Sequence, residues 1–391
     1  MDAPTGIENY TVIRNNRTMR FGYTTGSCAA AATRGSVSML LSQKPLEAVD
    51  LMTPKGIRLH LPLVDIRITS DEASCAVRKD AGDDPDSTDG ILVYVTARRR
   101  EKAGIVLDGG SGVGRVTKPG LAVPPGGAAI NPVPRAMILK EAEDCASEYG
   151  YEGGLSLTVS VPGGEEIARK TFNPRLGIVG GISILGTSGI VEPMSEHALV
   201  ESIRIEMQQL HSEGYEYLAV VPGNYGEAFL RGSTKLGNVK CIHCSNYIGE
   251  TLDMAVNMGI KGVLFVGHAG KLVKTAAGIM NTHSREADGR MEILSAAALT
   301  AGADNMLCRR ILNCTTTDDA IGMIASGGFR ESAMQLLMEK IQFYLDHRSY
   351  DRILTGAVMF SNVHGLLGKT KTADELEKMI LAQKTADQTE E

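Results

Sequence analysis

From Tyr215 onward the chain alternates short apolar runs with helical stretches. The runs are "YEYLAVVPG", "VKCIHCS", "KGVLFVG" and "RILTGAVMF"; "YIGETLDMAVNMG" and "AGKLVKTAAGIM" lie between them. Parallel strands cannot be joined by a tight turn, and a helix is the usual crossover. This alternation predicts βαβ units in a doubly wound sheet, so residues 194–391 read as a Rossmann-like α/β domain. An amphipathic helix, "SEHALVESIRIEMQQLHSEG", leads in with Ser195 as its cap, and "TADELEKMILA" closes the chain as a last helix. The first half has another rhythm. "AVDLMTPKGIRLHLPL" reads as two strands around the turn Pro54-Lys55-Gly56. "SCAVRKD" and "GILVYVTARRR" read as a second pair, and "GLSLTVSVPGG" as a strand beside which "GGEEIARKTF" returns. "PVPRAMILKEAEDCASEYG" is a helix opened by prolines and closed by Gly150. Residues 1–193 therefore read as a two-layer α+β domain. A length of 391 residues, too great for one ordinary core, agrees with two domains.

Composition narrows the function. A net charge of −6, 5% aromatic residues and no Trp argue against a nucleic-acid partner, because neither a basic footprint nor stacking platforms are present. No apolar run approaches the roughly 20 residues of a membrane helix. The opening "MDAPTGIENYTVIRNN" lacks the apolar stretch of a signal peptide. Seven scattered cysteines, an odd number, suit reduced thiols in a cytoplasm.

Four long segments carry a resemblance. They are "FGYTTGSCAAAATRG" from Phe21, "GVGRVTKPGLAVPPGGAAINPVPR" from Gly112, "TFNPRLGIVGGISILGTSGIVEPMS" from Thr171 and "GHAGKLVKTAAGIMNTHS" from Gly267. In wording and order they resemble the CbiD family, the cobalt-precorrin-5B carbon-1 methyltransferases of anaerobic cobalamin synthesis. The acidic loop "KDAGDDPDSTDG" is similar to that family as well. The resemblance implies S-adenosylmethionine (SAM) as methyl donor and conversion of cobalt-precorrin-5B to cobalt-precorrin-6A. On this reading cobalt arrives inside the tetrapyrrole and needs no ligands from the protein. A corrinoid carrier without chemistry is the competing reading, and a homo-oligomer is compatible with either.

A sulfonium methyl is already electrophilic, so such an enzyme chiefly has to hold donor and acceptor in line. The acceptor's carboxylates call for cations and free N–H groups. At the start of the alanine-rich helix, Thr24, Thr25, Gly26 and Ser27 are candidates to hold a carboxylate; a plain helix cap is the alternative. The stiff loop after Gly112 presents Arg115, Lys118, Asn131 and Arg135. "PGNYG" and "GHAGK" each follow a strand, at the sheet edge where open α/β folds bind ligands, so SAM is expected near Gly223, Asn224, Gly226, Gly267 and Gly270, unless one of the two loops meets the tetrapyrrole instead. Lys271 and Lys274 fall on one helix face and suit a carboxylate. His268, His283 and Asp84 are the candidate proton acceptors. An acyl-transfer nucleophile at Ser27 or Cys28 would need a base that no spacing supplies. "CIHC", Cys241 to Cys244, has a zinc-like spacing, but residues three apart on a strand face opposite ways, so no metal site is expected.

Overall fold

The computed structural model describes residues 4–14, 16–174, 176–223, 225–233 and 236–387. Two compact units divide the chain, Met1–Glu196 and His197–Glu391. The fold is mixed α/β. Among the described residues no helix is long and apolar enough to cross a membrane.

The first unit is built on a five-stranded sheet. Its spatial order is Val64–Ile68, Glu72–Arg78, Leu92–Arg100, Gly154–Ser160 and Ile105–Gly109, antiparallel except for the last pair. Val93, Val95 and Ala97 alternate with more exposed neighbours along one strand, and Ala73, Cys75 and Val77 are buried on the matching face of the next. On that face lie helix α1, Thr25–Ser42, and helix α2, Pro132–Glu148.

Helix α1 explains its own composition. Every residue from Thr25 to Leu40 is buried except Arg34. A helix walled in on all sides has no room for long side chains. A Cβ on Gly26 would come within 2.8 Å of Pro134, and one on Gly35 within 2.5 Å of Leu63. Arg34 leaves the core to meet Glu141 at 3.1 Å and Glu148 at 2.8 Å on α2.

The hairpin Ala48–Met52 with Arg58–Pro62 turns at Gly56, whose φ is +80°. The expected return strand in "GGEEIARKTF" is instead a short helix, Gly164–Ala168. Both edges of Gly154–Ser160 are already paired, and Glu165 and Glu166 favour a helix start.

The second unit carries another five-stranded sheet, ordered Cys241–His243, Tyr217–Val221, Gly262–His268, Leu354–Ser361 and Gly365–Lys369. The first four strands are parallel and the last is antiparallel. In chain order this is 2-1-3-4-5. Val220, Phe265 and Met359 bury one face against helices that include Ile248–Met258 and Arg330–Ser349, while Val221, Val266 and Phe360 bury the other under Ala373–Asp387. Burial on both faces is why these strands read as continuous apolar runs rather than alternating ones. Between Gly262–His268 and Leu354–Ser361 the chain inserts the helices Arg290–Thr300, Asn305–Leu312 and Thr317–Ser326 ahead of Arg330–Ser349.

Candidate functional site

The chain leaves Tyr217–Val221 for a strand on one side and Gly262–His268 for a strand on the other. At such a reversal the loops after the two strands diverge and leave a crevice at their carboxyl ends. The loops touch. A Cβ on Gly267 would lie 2.8 Å from the Pro222 ring, and one on Gly226 2.6 Å from the Val266 carbonyl. Gly223 has φ +76°, and a Cβ there would lie 3.4 Å from Cε of Lys271. The Tyr225 ring lies 5.9 Å from that of His268. Gly223, Gly226, Gly267, His268, Gly270 and Lys271 are thus neighbours across two loops. Asn224 falls outside the described residues.

His268 caps the helix Ala269–Thr275: its Nδ1 accepts from the Gly270 N–H at 3.1 Å. Burial lowers its pKa, against a weaker upward pull from Asp318, so the ring is neutral at pH 7. The Asn362 N–H approaches Nε2 at 3.4 Å, so backbone donors face both ring nitrogens. Nδ1 of His283 likewise accepts from a backbone N–H, that of Arg285, at 3.1 Å. Neither ring has a lone pair to spare for a reacting proton.

Beside the loops a cavity of about 420 Å³ is lined by Asn246, Gly270, Lys271, Lys274, His283 and Arg290, among others. Lys271 donates to Oδ1 of Asn246. Lys274, 2% exposed, donates to the carbonyls of Ala287 at 2.7 Å and Thr282 at 3.2 Å. Burial lowers the pKa of both lysines, and the Lys274 charge lowers that of Lys271 further. Arg290 grips Asp288, whose pKa falls to about 2.

A groove of about 990 Å³ runs between Asn305–Leu312, Thr317–Ser326 and the turn at His364. Arg310, Asp318, Met323 and Phe329 line it. Sequence reasoning missed it because its walls come from segments some fifty positions apart. Met306, 71% exposed, lies in its wall, an exposure that only the fold shows.

The first-unit candidates are placed differently. The start of α1 is sealed by its own chain. Thr24 caps Ser27 N at 3.2 Å, and the Gly26 N–H donates to the Leu185 carbonyl at 3.0 Å. Thr25 Oγ1 accepts from Leu185 N at 3.0 Å, and Ser27 Oγ donates to the Gly189 carbonyl at 2.6 Å. Thr24, Thr25, Gly26 and Ser27 therefore brace the turn at 183–189 rather than face a ligand. Cys28 is fully buried, and burial pushes its thiol up to about 12, which removes it as a nucleophile.

The acidic loop is a scaffold too. Asp80 takes both guanidinium nitrogens of Arg20, Asp86 pairs with buried Lys79 at 2.7 Å, and Asp89 accepts from Ala81 N. Asp84 accepts from Met194 N at 2.9 Å and ties the loop to the end of the unit. Arg115 is held by Asp108, and the stem of Lys118 lies against Gly177. Asn131 precedes α2 without a side-chain cap bond, one turn from Arg135 on the same face.

The CbiD family matches residues 12–193, and the CbiD C-terminal domain matches residues 281–371. A protein from Ruminiclostridium cellulolyticum, named cobalt-precorrin-5B C(1)-methyltransferase, is 49% identical over 353 residues, 90% of this chain and 92% of its own. One of the same name from Alkaliphilus metalliredigens is 42% identical over 382 residues, 98% of this chain and 100% of its own. A crystal structure of a cobalamin biosynthesis protein (cbiD) from Archaeoglobus fulgidus is 30% identical and covers 70% of this chain and 86% of that one, with a TM-score of 0.37.

Proposed function

The chain belongs to the CbiD family, and on that premise we propose that it transfers a methyl group from SAM to carbon 1 of cobalt-precorrin-5B in cobalamin biosynthesis. The observation that carries this is 49% identity over 90% of the chain to a protein of that named activity. The second unit is read as Rossmann-like: its 2-1-3-4-5 order with four parallel strands is one of the common doubly wound arrangements. Its two touching glycine loops are assigned to SAM. Any side chain at Gly226 or Gly267 would collide with the neighbouring strand or loop, so the backbone there is bare and fixed.

The donor brings an activated methyl group, so the residues of this chain position and shield rather than activate. His268, His283 and Asp84 each commit an acceptor atom to a backbone N–H of this chain. Catalysis is assigned to proximity and exclusion of water, because the sulfonium donor needs no further activation. Asn131 and Arg135 remain the first unit's candidates for the acceptor's carboxylates. Seven free thiols support a reducing, cytoplasmic setting.

The test is incubation of the protein with methyl-labelled SAM and cobalt-precorrin-5B. Label appearing at carbon 1 is the expected result. Tight binding of the tetrapyrrole with no transferred label would make the protein a carrier instead.

A further inference from the structure

The cavity beside the two loops holds more positive charge than its surroundings answer. Lys271 and Lys274 are one helical turn apart and both line it, together with Arg290. No carboxylate lines this cavity among the described residues. Asp288, the nearest acid acting on Lys274, is held in two bonds by Arg290. An ammonium has three donors, and neutral oxygens take only some of them here: Asn246 for Lys271, two carbonyls for Lys274. A charge buried among neutral partners is costly, and an arriving anion relieves that cost. His283 adds a further donor to the lining, because its Nδ1 already accepts and the proton of a neutral ring then sits on Nε2. Asn246, partly buried, holds the Lys271 ammonium in place from the neighbouring loop.

We infer that this cavity receives a carboxylate of a ligand, clamped by Lys271 and Lys274, with Arg290 and His283 also in its lining. The inference rests on the methyltransferase reading and deepens it, since both ligands of that reaction carry carboxylates. The methionine part of SAM has one and the rim of the tetrapyrrole several. Lys271 lies against Gly223, so the cavity opens next to the loops assigned to SAM.

The experiment compares the full-length wild type with Lys271→Gln, Lys274→Met and Arg290→Gln, each first checked for folding by circular dichroism. Lys271 is only half-buried, so its variant is the one expected to fold without difficulty. Calorimetric titrations use SAM and decarboxylated SAM, and an absorbance titration uses uroporphyrin III as a polycarboxylate ring. If the SAM carboxylate occupies the cavity, the wild type prefers SAM over its decarboxylated form by roughly 10- to 100-fold, and Lys271→Gln erases that preference. If a tetrapyrrole carboxylate occupies it, uroporphyrin affinity falls by a similar factor in the variants while SAM binds as before. Folded variants that bind both ligands like the wild type overturn the inference, as does a wild type that binds neither. Methyl transfer is followed in parallel. Unchanged turnover and unchanged carboxylate affinity in the variants remove the cavity and leave the function. Carboxylate affinity lost in the variants, with no methyl transfer in the wild type, removes the function and leaves the cavity.

Discussion

At the scale of single residues, chemistry is decided by what each polar atom already does. His268 has the attributes of a catalytic base: it sits in a loop at a strand end, and burial keeps it neutral. Its accepting nitrogen nevertheless belongs to the Gly270 N–H. Asparagine also caps helices well but cannot take up a proton at neutral pH. His268→Asn should therefore keep kcat for methyl transfer within about threefold, whereas loss of a true general base would cost at least about 100-fold. His268→Ala removes the cap and should lower stability by about 1 kcal/mol without a comparable loss of kcat. A hundredfold drop in the Asn variant, with a urea midpoint like the wild type's, would sink this assignment. The same criterion separates Ser27 from a binding role. Its hydroxyl is fully buried and committed to Gly189, a fact that only a fold can supply, because the partner lies 162 positions away.

At the scale of elements, helix α1 shows why composition mattered more than propensity. Alanine and leucine are nearly equal as helix formers, so propensity alone predicts no penalty for Ala30→Leu. Packing predicts one. Ala29, Ala30, Ala31 and Ala32 are all fully buried between sheet, hairpin and α2. Extra methylene groups in such a core cost about 1–3 kcal/mol. The variant's urea midpoint should fall accordingly with its slope unchanged. An unchanged midpoint would mean that α1 is less tightly enclosed than its burial implies. The sequence did announce this helix, because a run of small residues is what a helix enclosed on every side requires. It also announced the parallel strands, of which Tyr217–Val221, Gly262–His268 and Leu354–Ser361 read as nearly continuous apolar runs. It did not announce Val64–Ile68, whose burial alternates only between partial and exposed, or Gly365–Lys369, an edge strand of five residues. The strand-end loops were legible from position alone. That the acidic loop is a brace was not, because its meaning lies in Arg20 and Met194, which are distant in sequence.

At the scale of the molecule, the cysteines couple both units to pH in one direction. Cys28 and Cys75 lie in the first unit and Cys244 in the second, and burial pushes each thiol up to about 12. In the unfolded chain a thiol loses its proton near 8.5. Above that pH the unfolded state sheds protons that the folded state keeps, so the folded state binds more and stability falls as pH rises. Below it these groups contribute no slope. Each thiol is worth about 1.4 kcal/mol per pH unit, so three together give about 4 kcal/mol per unit once the pH is above about 9. Lys271 and Lys274 act oppositely: burial lowers their pKa, so the cost of their buried charge fades as pH rises toward about 10. The thiols, raised to about 12 and three in number, set the sign. The urea midpoint, measured under reducing conditions, should hold steady from about pH 7 to 8.5 and then drop steeply, in contrast to a chain whose thiols are exposed. Cys244→Ala should remove about one third of that slope by taking away the second unit's thiol. If the midpoint stays level to pH 10, the thiols are reached by solvent in the native state, and the close packing argued for α1 and for the second sheet would have to be given up with them.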